Sequence, residues 1–161
     1  YITTPIVMKL LEEKLPVESL TVMVQKEAAV RICAAPGTRA CGAVSVAVQY
    51  YSQPQILFDV PRDCFFPAPN VDSAVIRLNI RKEPPVKLET EEKQFFKLVK
   101  AAFGQRRKTV LNSLSTGLGK PKEELSAALQ QAGIAPTARA EQLTMEQFGT
   151  LCNLLFPNKA Q

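Results

Sequence analysis

The sequence predicts an α/β part followed by an all-α part. Two observations carry that expectation. In the first half, short segments of strand character (20–24, 55–60 and 74–80) alternate with helical stretches. The composition then breaks at Arg81-Lys82-Glu83-Pro84-Pro85, and every periodic segment beyond it repeats at helical spacing. The break divides the chain into a domain over residues 1–82, a linker over 83–89 and a helical domain over 90–161.

The elements follow in order. Thr4 is a candidate N-cap, Pro5 suits the first helical turn, and Ile6, Val7, Leu10 and Leu11 form one apolar face. Leu20-Thr21-Val22-Met23-Val24 is almost wholly apolar, which predicts a strand buried on both faces, as in a parallel sheet. Gln25-Lys26-Glu27 leads into a helix through Ile32, and Pro36-Gly37 marks a loop. Residues 43–51 fit two periods. Val44, Val46 and Val48 alternate as in a strand, while the length and Ala43 and Ala47 fit a helix. Ala74, Ile76, Leu78 and Ile80 alternate cleanly with Val75, Arg77 and Asn79, so 74–80 reads as a strand with one covered face.

In the second half, Thr90 can cap a helix with Glu91 and Glu92 in its first turn and Phe95, Leu98, Val99, Ala102 and Phe103 on one stripe. Further helices are expected near 108–115, 121–133 and 144–156, the last opened by the capping-box pair Thr144 and Gln147.

Composition limits the chemistry. The chain has 161 residues, 20 Lys and Arg against 15 acids, and no histidine. Without histidine, Ser-His-Asp triads, Cys-His dyads and His-ligated zinc cannot be built within it. The four cysteines, at 33, 41, 64 and 152, form no CxxC pair and read as free thiols of a reducing, cytoplasmic setting, with Cys41 and Cys64 in loop-like sequence. No apolar run approaches the roughly 20 residues that a membrane span needs. The excess of five positive charges permits a nucleic-acid partner. The chain opens on Tyr1 rather than Met, which suggests that a segment precedes it.

Three features can carry function. Gln105-Arg106-Arg107-Lys108 follows Lys93, Lys97 and Lys100, and no acid interrupts the run until Glu123. Adjacent cations at a helix junction suit a phosphate backbone, and they suit equally a solvated turn at the negative end of a helix. Phe65-Phe66-Pro67-Ala68-Pro69-Asn70 holds two aromatics on a stiff loop, placed either to stack on a base or to close the core. Lys26 and Arg31 follow a strand, where ligand-facing loops of open α/β sheets lie, and a solvated helix face accounts for them as well. Neither GxGxxG nor GxxxxGK[ST] occurs.

Together these stretches resemble the KsgA/RsmA family of small-subunit ribosomal RNA adenine dimethyltransferases. The resemblance spans essentially the whole chain. It rests on Tyr1-Ile2-Thr3-Thr4-Pro5, Gln25-Lys26-Glu27, the FxPxPxVxS run from Phe65 to Ser73 with its continuation Ala74-Val75, Ala102-Phe103-Gly104-Gln105-Arg106-Arg107-Lys108-Thr109 and Arg139-Ala140-Glu141-Gln142-Leu143. It implies the C-terminal part of a Rossmann-like sheet of an S-adenosylmethionine methyltransferase, followed by a small helical domain. It also implies a cytoplasmic enzyme of ribosome biogenesis that dimethylates N6 of two adjacent adenosines near the 3′ end of small-subunit (16S) RNA. In the family an Asn-Leu-Pro-Tyr motif orients the amine, and its tyrosine and the Phe at position 65 sandwich the flipped base, a positioning catalysis. Pro67 and Pro69 would stiffen that loop. Lys26, Arg31, Gln105, Arg106, Arg107 and Lys108 would meet RNA.

By the same resemblance, the Asn-Leu-Pro-Tyr motif and the glycine-rich cofactor loop lie upstream of Tyr1. No residue of this chain is then assigned to S-adenosylmethionine, and the chain alone is expected to be inactive. Cys41 stands where the family usually has tyrosine. The resemblance assigns 43–51 to a helix. It leaves strand 20–24 with an open apolar edge, so self-association is expected beside the partner implied, the RNA of a 30S subunit precursor. Two alternatives are a non-catalytic RNA-docking module and a large-subunit enzyme of the macrolide-resistance branch.

Overall fold

The computed structural model describes residues 3–157, so Tyr1 and Ile2 of the first motif lie outside the described residues. Helix α1 spans Thr3–Glu12, which puts Thr4 inside its first turn rather than at the cap. Its inward side chains are Val7 and Leu11, while Ile6 is half exposed. Strands β1 (Ser19–Gln25), β2 (Ser52–Val60) and β3 (Ser73–Ile80) form one sheet in the order β1-β3-β2, antiparallel throughout. Helices α2 (Lys26–Ile32) and α3 (Ala43–Tyr51) lie between β1 and β2 in sequence. The helical expectation for 43–51 therefore holds, because this segment must bury Val46 and Val48 on different sides.

One expectation fails outright. Among the described residues β1 is neither parallel nor buried on both faces, since there it pairs with β3 alone and only its Val24 is buried. The reason is coverage. Helices α1 to α3 pack on the face carrying Val24, Ala74, Ile76 and Leu78. On the opposite face Met23, Val75 and Phe58 form a row across the three strands, with Met23 and Phe58 about half exposed. An apolar stretch thus reads alike whether its second face is covered or bare. β2 is longer than expected, taking in Pro54, which an outer strand tolerates.

Beyond the prolines come α4 (Glu92–Ala102), α5 (Val110–Leu118), α6 (Lys122–Gln131) and α7 (Met145–Leu155). Glu91, not Thr90, occupies the N-cap of α4. α5 begins after Thr109, whose hydroxyl accepts the Asn112 amide at 3.3 Å, so Lys108 falls outside it. The Thr144–Gln147 capping box forms as expected, with reciprocal bonds of 3.1 and 3.0 Å.

The proline-bearing segment is fastened to α7 on its far side. Asn153 accepts the Glu89 amide at 2.8 Å and donates to the Lys87 carbonyl at 3.0 Å. Val86 lies so close to Gly149 that a Cβ there would stand 3.0 Å from it. The larger core also runs across the sequence break, joining Cys41, Val46 and Tyr50 to Phe95, Leu98, Leu125 and Phe148. At the junction Tyr50 and Tyr51 pack against Phe95 and Phe96, with ring centroids 5.2 to 5.4 Å apart. Glu92 completes it, accepting Lys14 at 3.1 Å, Tyr50 at 3.3 Å and Tyr51 at 3.2 Å.

Candidate nucleic-acid interface

The antiparallel register puts Gln25, Ser73 and Val60 at one end of the sheet. The segment after β1 and the loop joining β2 to β3 therefore emerge side by side. In that loop a single 3₁₀ turn, Arg62–Cys64, follows Pro61. Arg62 then spans the loop's two ends. Its amide and Nε donate to Asp72 at 2.9 and 3.1 Å, and its guanidinium donates to the Asn70 carbonyl at 2.8 Å. These bonds to the charged form, the backbone amide foremost, hold the Asp72 carboxyl below its ordinary value.

What the clamp presents is aromatic. Phe65 is partly buried, and Phe66, joined to Pro67 by a cis peptide, is wholly exposed. Pro67 and Pro69 are exposed on either side of Ala68, so no core phenylalanine pair closes the domain here. Restraining the loop from both ends reduces the conformations it would lose on meeting a flat partner. Arg62→Ala should accordingly speed amide hydrogen exchange across 62–72 and leave the melting temperature nearly unchanged, because the clamp is exposed. Unchanged exchange would mean that the prolines alone hold the loop.

The cations divide. Lys26 pairs with Asp59, which holds its ammonium above its ordinary value, so its charge is already shared. Arg31 lies on α2 and Arg106 in the turn between α4 and α5, yet both line one cleft of about 540 Å³. Arg39, from the loop after α2, lines it too, and Glu27 and Glu141 are its acids. Among the described residues none of the three arginines has an ion-pair partner. Arg39 also faces a neighbouring hollow shared with Arg139 and Gln142. Gln105, Arg107 and Lys108 are exposed on the same turn but outside the cleft lining. In the sequence Arg139 stands within the 139–143 motif and Phe66 beside Phe65, while nothing but its loop marks Arg39.

Cys41 closes the floor of the cleft. Although its sequence is loop-like, it is buried, and burial pushes its thiol up to about 11. A thiol held neutral in this way is a weak nucleophile at neutral pH. Among the described residues no cluster of acids and cysteines is placed to hold a metal ion. No described helix is long and apolar enough to cross a membrane.

The chain meets known proteins over nearly all its length. Residues 1–156 match the family described as Ribosomal RNA adenine dimethylase. A protein named Ribosomal RNA small subunit methyltransferase A from Geobacillus thermodenitrificans (strain NG80-2) is 52% identical over 160 residues, covering 98% of this chain and 54% of that protein. One of the same name from Alkaliphilus oremlandii (strain OhILAs) is 55% identical over 156 residues, covering 96% and 54%. The chain thus spans about half the length of the curated relatives it matches. Among solved structures, 23S rRNA methyltransferase ErmE superposes with a TM-score of 0.68 at 28% identity, covering 96% of this chain and 61% of that one. A dimethyladenosine transferase from Plasmodium falciparum gives 0.74 at 23%, covering 93% and 61%, and shows a shared fold.

Proposed function

Since this chain belongs to the ribosomal RNA adenine dimethylase family, we propose that it is the RNA-facing part of an S-adenosylmethionine-dependent enzyme. The reaction is N6-dimethylation of two adjacent adenosines of small-subunit (16S) RNA, on a 30S precursor in the cytoplasm. The observation that carries the reading is the cleft in which Arg31, Arg39 and Arg106 converge. Arginine forks suit phosphate oxygens, and two walls from distant parts of the sequence suit a folded RNA better than a free phosphate. In this arrangement residues 1–82 and 90–161 act as the two jaws, joined by 83–89. Gln105, Arg107 and Lys108 extend the contact along the backbone, with Lys26 at the sheet end.

Phe65 offers its ring to the flipped adenine, and Pro67 and Pro69 hold the loop while the Arg62–Asp72 clamp ties its ends. Phe66, exposed beside it, is free to stack on a flanking base. The small-subunit substrate is preferred over the large-subunit one because relatives named for the small subunit reach 52 and 55% identity, against 28% for the 23S enzyme.

The residues present do not fit the cofactor. None of the 7 glycines follows a strand, and β1 passes into α2 directly through Gln25 and Lys26. A backbone cradle for a nucleoside needs such a turn. That favours a second reading for the 161-residue chain by itself, a module that docks on RNA without catalysis. Calorimetry with S-adenosylmethionine should therefore show no binding. Filter binding to a small-subunit RNA hairpin carrying the adenosine pair should show affinity that falls with salt. Stoichiometric cofactor binding would overturn the inactivity, and RNA binding indifferent to salt would overturn the cleft.

A further inference from the structure

The arginine cleft is built on the ends of two helices whose other ends are tied together. Gly42 and Ala43, where α3 begins, line the cleft, and so do Phe103 and Arg106, just past the end of α4. The opposite ends of the same helices meet around Glu92. Its Oε1 accepts the Tyr51 hydroxyl at 3.2 Å, while its Oε2 accepts the Tyr50 hydroxyl at 3.3 Å and the Lys14 ammonium at 3.1 Å. α3 and α4 thus form a pair of tongs, open at the cleft and joined at Glu92.

Each arm carries a cation at its tip. Ser45, fully buried in the first turn of α3, donates to the Arg31 carbonyl at 2.5 Å and so fastens the end of α2 to that arm. On the other arm the Phe103 amide donates to the Val99 carbonyl and the Gly104 amide to the Ala101 carbonyl, both at 3.1 Å, which ties the turn bearing Arg106 to the end of α4. α4 has 11 residues, about 16 Å at the usual rise of a helix. A tilt of about 10° at the Glu92 end therefore moves the far end by about 3 Å, enough to break a hydrogen bond there. The rings of Tyr50, Tyr51, Phe95 and Phe96 hold the arms together, but apolar contact has no preferred direction and lets them slide. The Glu92 fork is directional, with one oxygen for each tyrosine. Tyr50 is only 3% exposed, so its hydroxyl finds little water once that acceptor is gone.

We propose that Glu92 is a positioning residue for RNA, its carboxylate setting the aperture of the tongs and thereby the separation of Arg31 from Arg106. The role in RNA binding rests on the reading of the cleft given above; the aperture itself is tested without RNA. Cys41 forms the cleft floor and Cys152 lies deeper in the same core. Burial raises both thiols to about 11, so their alkylation compares access rather than reactivity. Iodoacetamide labelling read by peptide mass should show Cys41 reacting about tenfold faster in Glu92→Ala, with Cys152 unchanged. Glu92→Gln keeps an acceptor for one hydroxyl and a donor for the other, so it should label as the native chain does. Both cysteines speeding together would mean a loosened fold and would overturn the proposal. So would an unchanged Cys41, or a glutamine variant as open as the alanine one. Should Glu92→Ala fail to fold, Tyr51→Phe removes one hydroxyl from the fork at almost no loss of volume and should speed Cys41 in the same way.

Filter binding to the small-subunit RNA hairpin supplies the second measurement, and there the sign decides. Glu92→Ala removes a negative charge from a chain of net charge +5, so attraction to phosphate alone would strengthen binding. A displaced Arg106 should instead weaken it about tenfold and flatten the salt slope by about 0.7 to 0.9, the share of one phosphate contact. With Arg106→Ala already in place, adding Glu92→Ala should cost little more, because the contact it positions is gone. Equal or tighter binding by Glu92→Ala overturns the proposal, and so do losses that simply add. Native binding indifferent to salt overturns the RNA reading and with it the role in RNA binding, whereas a faster Cys41 would still show that Glu92 sets the aperture.

Discussion

Phe95→Ala is expected to destabilise the protein by about 3–5 kcal/mol and to do so in both halves of the chain at once. Phe95 is fully buried, and its ring stacks at a tilt on Tyr50 with centroids 5.2 Å apart. Tyr50 lies in the last turn of α3, whose Val48 packs toward the sheet, while Phe95 is the first buried residue of α4. Truncation leaves a cavity inside the core that crosses the sequence break, and a rigid aromatic quartet collapses poorly into it. Urea unfolding followed by far-UV circular dichroism and by tyrosine fluorescence should give one shared transition, moved to lower urea. A tyrosine signal that keeps its midpoint while the helical signal moves would show two independently folding parts. The same junction predicts an alkaline limit. Burial first, and Glu92 second, hold the Tyr50 and Tyr51 hydroxyls above their ordinary value. A folded-state value above the unfolded one stabilises at low pH and fades as pH rises, so melting temperatures should fall beyond about pH 10.

Reversing Arg31 and Arg106 together to glutamate should lower affinity for a small-subunit RNA hairpin about 100-fold at moderate salt. It should also flatten the slope of log affinity against log salt by about 1.4 to 1.8, since each phosphate contact contributes roughly 0.7 in single strands and 0.9 in duplex. The effect is large because the two arginines face one cleft from different elements and are unpaired among the described residues. Lys122→Glu, on the exposed first turn of α6, supplies the control and should change affinity little. Equal losses from the cleft and control variants would mean that net charge, not the cleft, binds RNA. A full effect from Arg106 alone, with Arg31 inert, would place the contact on the 105–108 turn.

Local rules were enough wherever one face decided the outcome. The alternation of 74–80 carried over to β3, and the Thr144–Gln147 box carried over to the start of α7, because short-range geometry satisfies both. Caps moved at Thr4, which lies inside α1, and at Thr90, one residue before the Glu91 cap, because helix ends are set by more than the capping residue type. β1 failed for a deeper reason. Its four apolar residues report only a preference for burial, and whether a second layer exists to satisfy it is not a property of the strand. The candidate site was legible by type and not by grouping. The 105–108 run stood out as charge, yet only Arg106 of it reaches the cleft, and Arg39 gave no signal that it would join Arg31 there.

What the sequence determined by itself was the order of elements, the break near Pro84-Pro85, the family and the chemical kinds that the missing histidine removes. All of these depend on which residues are near one another along the chain. Only the tertiary structure decided that the core crosses the break, that β1 runs antiparallel to β3, and that Arg31 and Arg106 meet. Each of those is a contact between segments far apart in sequence. It exists because packing Tyr50 and Tyr51 against Phe95 and Phe96 fixes one arrangement of the two parts, and no local periodicity encodes which one.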